Sequence, residues 1–234
     1  MARHRYRPVR AVAGVQVRLA TFLTGEEYVT AKLWTRATIT SCPWHPDGRC
    51  GFRRHGTYKR VTPDGCRVPR WYCPLSGRTV SALPDCLAAH RSGTLVALEA
   101  YLRTIEKAGS IAAAANTERS DIELPGALRF LGGLKRDIYA ALSALRGIDL
   151  ERFESCVISI SAFAVLLGVS YVLPVLRADY VHHLRHLPAP LGFNPHRIRR
   201  DSDRRCEQHR AGRDPPRHFI EALVLPTQQE STRP

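Results

Sequence analysis

From Leu87 onward, apolar residues recur at helical spacing. Leu95, Leu98, Leu102 and Ile105 share one face of a helix predicted over Leu87 to Ala108, with Gly109 as its stop. Ser110 is placed to cap a short Ala-rich helix over Ile111 to Ala115, and Asn116 to Asp121 reads as a polar turn. Pro125 then falls in the first turn of a long helix, whose stripe runs through Ala127, Leu128, Leu131, Leu134, Ile138, Ala141, Leu142 and Leu145 to Gly147. The pair over 110–146 has the length and turn of a helix-turn-helix that would offer Arg129, Lys135 and Arg136 to a DNA groove. An ordinary helical hairpin with a solvated basic face is the plainer alternative.

Upstream the pattern changes. Val12, Val15, Val17 and Leu19 approximate strand alternation, and Thr24-Gly25-Glu26-Glu27 opens a helix toward Tyr28, Leu33 and Trp34. Ser41 to Asp85 is turn-rich, with Pro46-Asp47-Gly48 and Pro63-Asp64-Gly65 between β-prone pieces near Thr57–Val61 and Val68–Tyr72. A β module of that size buries too little apolar surface to be stable alone, and a structural metal is the usual remedy. The expected class is therefore α+β: a basic N-terminal segment over 1–40, a small β-rich module like a zinc ribbon over 41–86, a helical region over 87–190, and a disordered basic tail over 191–234.

Cys156 to Leu176 holds no charged residue and is about as long as a bilayer span. Its serines, Gly168 and Pro174 weaken that reading, and the alternative divides it at Gly168-Val169-Ser170 into two buried helices. Ala164 to Ser170 also fits an Ala-x-x-x-Gly-Val-Ser helix-turn-helix core, but Pro174 and the lack of polar reading residues favour a core role.

Charge and cysteine content add the chemistry. Thirty-five Lys and Arg against 21 Asp and Glu leave the 234-residue chain at +14, which points to a polyanionic partner, nucleic acid or an anionic membrane surface. The 44% hydrophobic content excludes a fully disordered chain. Five of seven cysteines crowd between Cys42 and Cys86, and Met1 to Arg10 is Arg-rich with no uninterrupted apolar segment after it. Reduced thiols in the cytoplasm, available to a metal, are expected. Cys42, His45 and Cys50 supply three donors suited to tetrahedral zinc. Cys73 opens a second knuckle, but Ser76 stands where its second cysteine would be. Either Cys42, His45, Cys50 and Cys73 form the set, or Cys66 or Cys86 joins it, or the site is degenerate. A metal-free module with buried thiols is the competing reading.

Around the knuckles lie Arg53, Arg54, Lys59, Arg60, Arg67, Arg70, Trp71, Tyr72 and Arg78. Guanidinium groups beside aromatic rings can pair phosphates and pack sugars or bases. The same alternation also describes the solvated side of a hairpin, with Trp71 and Tyr72 turned to the core.

The runs Cys42-Pro43-Trp44-His45, Arg54-His55-Gly56-Thr57-Tyr58-Lys59-Arg60, Arg70-Trp71-Tyr72-Cys73-Pro74 and Arg78-Thr79-Val80-Ser81-Ala82-Leu83-Pro84 resemble the zinc-ribbon start of bacterial insertion-element proteins. Ile122 to Arg129 and Leu187 to Phe193 resemble the helical remainder of those relatives. In this chain Ser76 replaces a family cysteine and Val80 a phenylalanine. The resemblance implies a zinc ribbon and helices that recognise DNA beside a transposase, with Cys42 and Cys73 as ligands.

No enzyme is expected. Glu99, Glu106, Asp121, Glu123, Asp137, Asp149, Glu151, Glu154 and Asp179 fall on predicted helix surfaces, caps or turns rather than on an RNase H-like sheet. Gly132-Gly133 lies within a helix pattern, and His182, His183 and His186 lack a metal-binding partner at the right spacing. The expectation is a non-catalytic DNA-binding protein of a mobile element. An assembly module for a transposase is the alternative, and a membrane span at 156–176 a third.

Overall fold

Thr24 begins the fold's first helix with a reciprocal cap. Its side chain accepts from the Glu27 amide while the Glu27 carboxylate accepts from the Thr24 amide, which starts α1 (Gly25–Thr30) where the sequence predicts it. The computed structural model describes residues 15–118 and 123–195. The basic N-terminal arm, the end of the polar turn before residue 123, and the tail from 196 lie outside the described residues.

The chain is α+β, with a four-stranded mixed sheet followed by a helical region. Strands β1 (Val15–Leu19), β2 (Arg53–Lys59), β3 (Arg67–Cys73) and β4 (Arg78–Pro84) are ordered β1-β4-β3-β2. β2–β3 and β3–β4 are antiparallel, whereas β1 runs parallel to β4 with Val15 opposite Val80. The sheet thus recruits a strand from the segment read as a basic extension. Arg18 anchors it through two bonds to the Asp85 carboxylate just past β4, at 2.7 and 2.8 Å.

The helices are α2 (Leu95–Ala108), α3 (Ile111–Glu118), α4 (Leu124–Ile148), α5 (Leu150–Phe153), α6 (Ile160–Leu167) and α7 (Val172–Asp179). α2 starts eight residues later than its apolar spacing suggests, because Thr94 caps it and the preceding loop holds His90 at φ +53° and Gly93 at +98°. α4 extends its apolar stripe through Leu134, Ile138, Leu142 and Leu145 into the main core. Val68 and Leu83 from the sheet, with Cys66 just before β3, share that core with the helices, so packing crosses the boundary drawn at 86. Leu191 and Phe193 are buried in it as well, which carries the folded part past 190.

Cys156–Leu176 is broken as its glycine suggests. α6 ends at Gly168 (φ +62°), α7 begins at Val172, and the two are bent by 64°. Among the described residues no single helix is long and apolar enough to cross a membrane.

Two carboxylates of α2 hold this bent pair. Glu99, fully buried, accepts from the amides of Val172 and Leu173 at 3.0 and 2.9 Å and pairs with Arg103 at 2.7 Å. It caps α7, whose own N-cap residue Tyr171 supplies no side-chain bond. Glu106, two turns along, accepts from the amides of Ile160 and Ser161, the Ser161 hydroxyl and the Tyr139 hydroxyl. Burial works against ionisation of Glu106, but these donors outweigh it and hold its carboxyl below the ordinary range.

Arg177 on α7 is fully buried and donates to the carbonyls of Asp85, Leu87, Pro190 and Leu191, with its guanidinium 5.6 Å from the Phe193 ring centre. Burial lowers its pKa to about 10, which leaves it charged at neutral pH.

These contacts carry measurable stability. Arg177→Lys is expected to lose about 3 kcal/mol in urea unfolding, nearly as much as Arg177→Leu, because an ammonium cannot replace the planar fork that serves four carbonyls. Glu106→Gln is expected to lose about 2 kcal/mol at pH 7. Since the folded pKa of Glu106 is depressed, its contribution is present above about pH 4.3 and lost as pH falls through the folded value, so unfolding curves of wild type and variant should converge in acid.

Candidate metal centre

The first knuckle is built by a tight turn. The His45 amide donates to the Cys42 carbonyl at 3.2 Å and the Gly48 amide to the His45 carbonyl at 3.1 Å. Gly48, Arg49 and Gly51 all take positive φ, which folds the chain back so that Cys50 reaches Cys42. Cys73 arrives from the end of β3, and the following turn closes with the Gly77 amide on the Pro74 carbonyl.

These elements bring Cys42, His45, Cys50 and Cys73 together with all four donor atoms within 4.8 Å of one another. His45 Nδ1 lies 3.6 Å from Cys42 Sγ and 3.4 Å from Cys73 Sγ. With Zn–S of about 2.3 Å and Zn–N of about 2.0 Å, an N···S edge of a zinc tetrahedron is about 3.5 Å, so the donor set and these edges are compatible with zinc. The three thiols are buried and His45 partly so, and Trp44 and Phe52 pack against them as a satellite core.

Ser76 contributes its backbone. Its amide lies 3.4 Å from Cys73 Sγ. Burial opposes ionisation of Cys73, but Ser76 and the thiols of Cys42 and Cys50 outweigh it and bring its pKa down to about 6. Burial pushes Cys50 up. Cys73 is thus readier than Cys50 to meet a cation as thiolate.

Cys66 and Cys86, the alternative ligands, lie elsewhere, against the main core beside Tyr28. Burial raises both thiols, Cys86 to about 12. Among the described residues, no cluster of three or more donors includes His182, His183 or His186.

The basic candidates divide by what they touch. Arg54 donates to the carbonyls of Trp34, Thr35 and Ala37 and lies 5.6 Å from the ring centre of Trp71, itself buried between Ala37 and Ala82. Arg60 donates to the carbonyls of Ala88 and Arg91. These three residues hold the sheet to its flanking loops. Arg70 is half-buried, bonded to Thr79 and 5.8 Å above Tyr58. Arg53, Lys59, Arg67 and Arg78 are exposed, with Arg78 5.8 Å over the Trp44 ring. On α4, Arg129 and Arg136 are exposed seven residues apart, and the Lys135 ammonium lies 5.3 Å from the Tyr139 ring centre. The roles of Arg54 and Arg60 could not be read from spacing, because their acceptors are carbonyls up to 31 residues away.

In comparison with known proteins, no family model, no curated protein and no solved structure matches the chain.

Elemental analysis of protein purified from zinc-supplemented medium is expected to give one zinc per chain. Cys42→Ser, His45→Ala, Cys50→Ser and Cys73→Ser should each lower zinc affinity at least tenfold, about 1.4 kcal/mol, while Cys66→Ser and Cys86→Ser leave the stoichiometry unchanged.

Proposed function

We propose that the protein binds DNA without catalysing a reaction on it, using a sheet whose free end is held by a structural zinc at Cys42, His45, Cys50 and Cys73. The supporting observation is the charge of the ribbon: β2, β3 and β4 together carry six cations and no acidic residue. A surface kept soluble by charge alone ordinarily mixes both signs. Arg53, Lys59, Arg67 and Arg78 are exposed and would pair phosphates, while Arg54, exposed but bonded to three carbonyls, keeps the ribbon in shape with Arg60 and Trp71. Beside the knuckle a recess of about 400 Å³ adds Arg49 to Arg53 at its rim. Arg129 and Arg136 on α4 would extend the contact. Zinc would act by fixing the knuckle against β3, since four protein donors leave no open position for a substrate. A reducing compartment such as the cytoplasm suits these thiols, and the mobile-element setting is supported by the resemblance alone, which is strongest over Cys42–Leu87.

A second reading, an assembly module for a transposase, draws on exposed apolar side chains around α6. Val157, Val165, Leu166 and Tyr171 are 69, 84, 47 and 52% exposed.

Anisotropy of a labelled duplex across a salt series separates the two. DNA binding predicts an affinity falling linearly in log–log form, and replacing Arg53, Lys59 and Arg78 together by Ser should reduce the slope by about 2.7, or about 0.9 per phosphate contact. Absent or salt-independent duplex binding would overturn the proposal and favour the assembly reading.

A further inference from the structure

Between β1, the first knuckle and the loop after α7 lies a cavity of about 340 Å³ that the metal centre and the ribbon do not use. Trp44, Phe193, His90, Arg185, Asn194 and Gln16 line it, and no acidic residue lies among its described walls. It is at the small end of ligand pockets and has room for one nucleotide rather than a strand. Trp44 is partly exposed, and Arg78 lies over its ring. Arg185 is exposed at the same mouth.

One feature marks the cavity as more than a packing gap. His90 holds a left-handed backbone that non-glycine residues rarely adopt, with its Nε2 3.1 Å from the Phe193 carbonyl. The walls therefore combine an aromatic face with one cation, Arg185, and a second cation, Arg78, lies over the same aromatic ring.

Resting on the DNA-binding reading above, we propose that this cleft takes a single unpaired nucleotide, a base displaced from the end of a duplex. The base stacks on Trp44 and its phosphate lies toward Arg78 and Arg185. The ribbon then holds the duplex while the cleft distinguishes a frayed end from continuous DNA.

The test compares the zinc-loaded full chain on a blunt duplex of about 20 base pairs and on the same duplex carrying about four unpaired thymidines at each 3′ end, by anisotropy at fixed salt. The tailed duplex is expected to bind about tenfold more tightly. Trp44→Leu and Arg185→Ala should each abolish that preference, while blunt-duplex affinity stays within about twofold and zinc per chain is unchanged. Arg185 lies far from the ligands in sequence, so Arg185→Ala alone decides if Trp44→Leu loses zinc. Equal affinity for the two duplexes, or a preference that survives Arg185→Ala, overturns the cleft and leaves DNA binding standing. Failure to bind either duplex overturns both.

Discussion

A buried guanidinium holds the two halves of this molecule in one arrangement. Arg177 satisfies four carbonyls, two after β4 and two in the loop that follows α7. Each of those loops would otherwise bury acceptors without donors, the least tolerable condition in a protein interior. The charge is moderated by Asp85, which in turn binds Arg18 and the Thr21 amide. One residue thus links the closing loop, the exit of β4 and the parallel strand β1. Phe193 is fixed under the same guanidinium, and so is one wall of the cleft beside Trp44.

The helical half obeys a related constraint. A helix leaves its first amides without partners, and α6 and α7 follow one another at a sharp bend where neither can serve the other. Glu99 and Glu106 answer this from a third helix, being seven residues apart and so on one face of α2. The apolar run 156–176 is held as two short helices because two anions pin its two starts. Glu99 adds Arg103, whose guanidinium also reaches the Ser170 carbonyl inside the bend.

What can be read from the sequence is local. The Thr24 box, the stop at Gly109, the cap at Ser110, the break at Gly168 and the set Cys42, His45, Cys50, Cys73 each depend on residues within a few positions or on ligand chemistry, and all stand in the structure. Capping is among the roles expected of the acidic residues, and Glu99 and Glu106 are caps, but of helices more than fifty residues away. Contacts at that range leave no trace in spacing. The parallel pairing of β1 with β4 is hidden for the same reason, since a five-residue strand with one buried side chain carries little alternation. Leu87 to Thr94 reads as helical because its apolar residues continue the α2 pattern, but the positive φ at His90 and Gly93 and the Thr94 cap override it.

At position 76 the geometry reverses what the pattern suggests. A second knuckle with one cysteine looks broken if each knuckle must supply two ligands. Here the first knuckle supplies three, because the left-handed residues between His45 and Cys50 let the chain return within five positions. The second knuckle then needs only Cys73 and a turn that directs an amide at its sulfur, which Ser76 provides through its backbone. An amide bond to a thiolate favours the charged form. A cysteine at 76 would add a fourth thiol beside a group that already offers four donors within 4.8 Å of one another, so the serine is compatible with a full donor set drawn three from the first knuckle and one from the second.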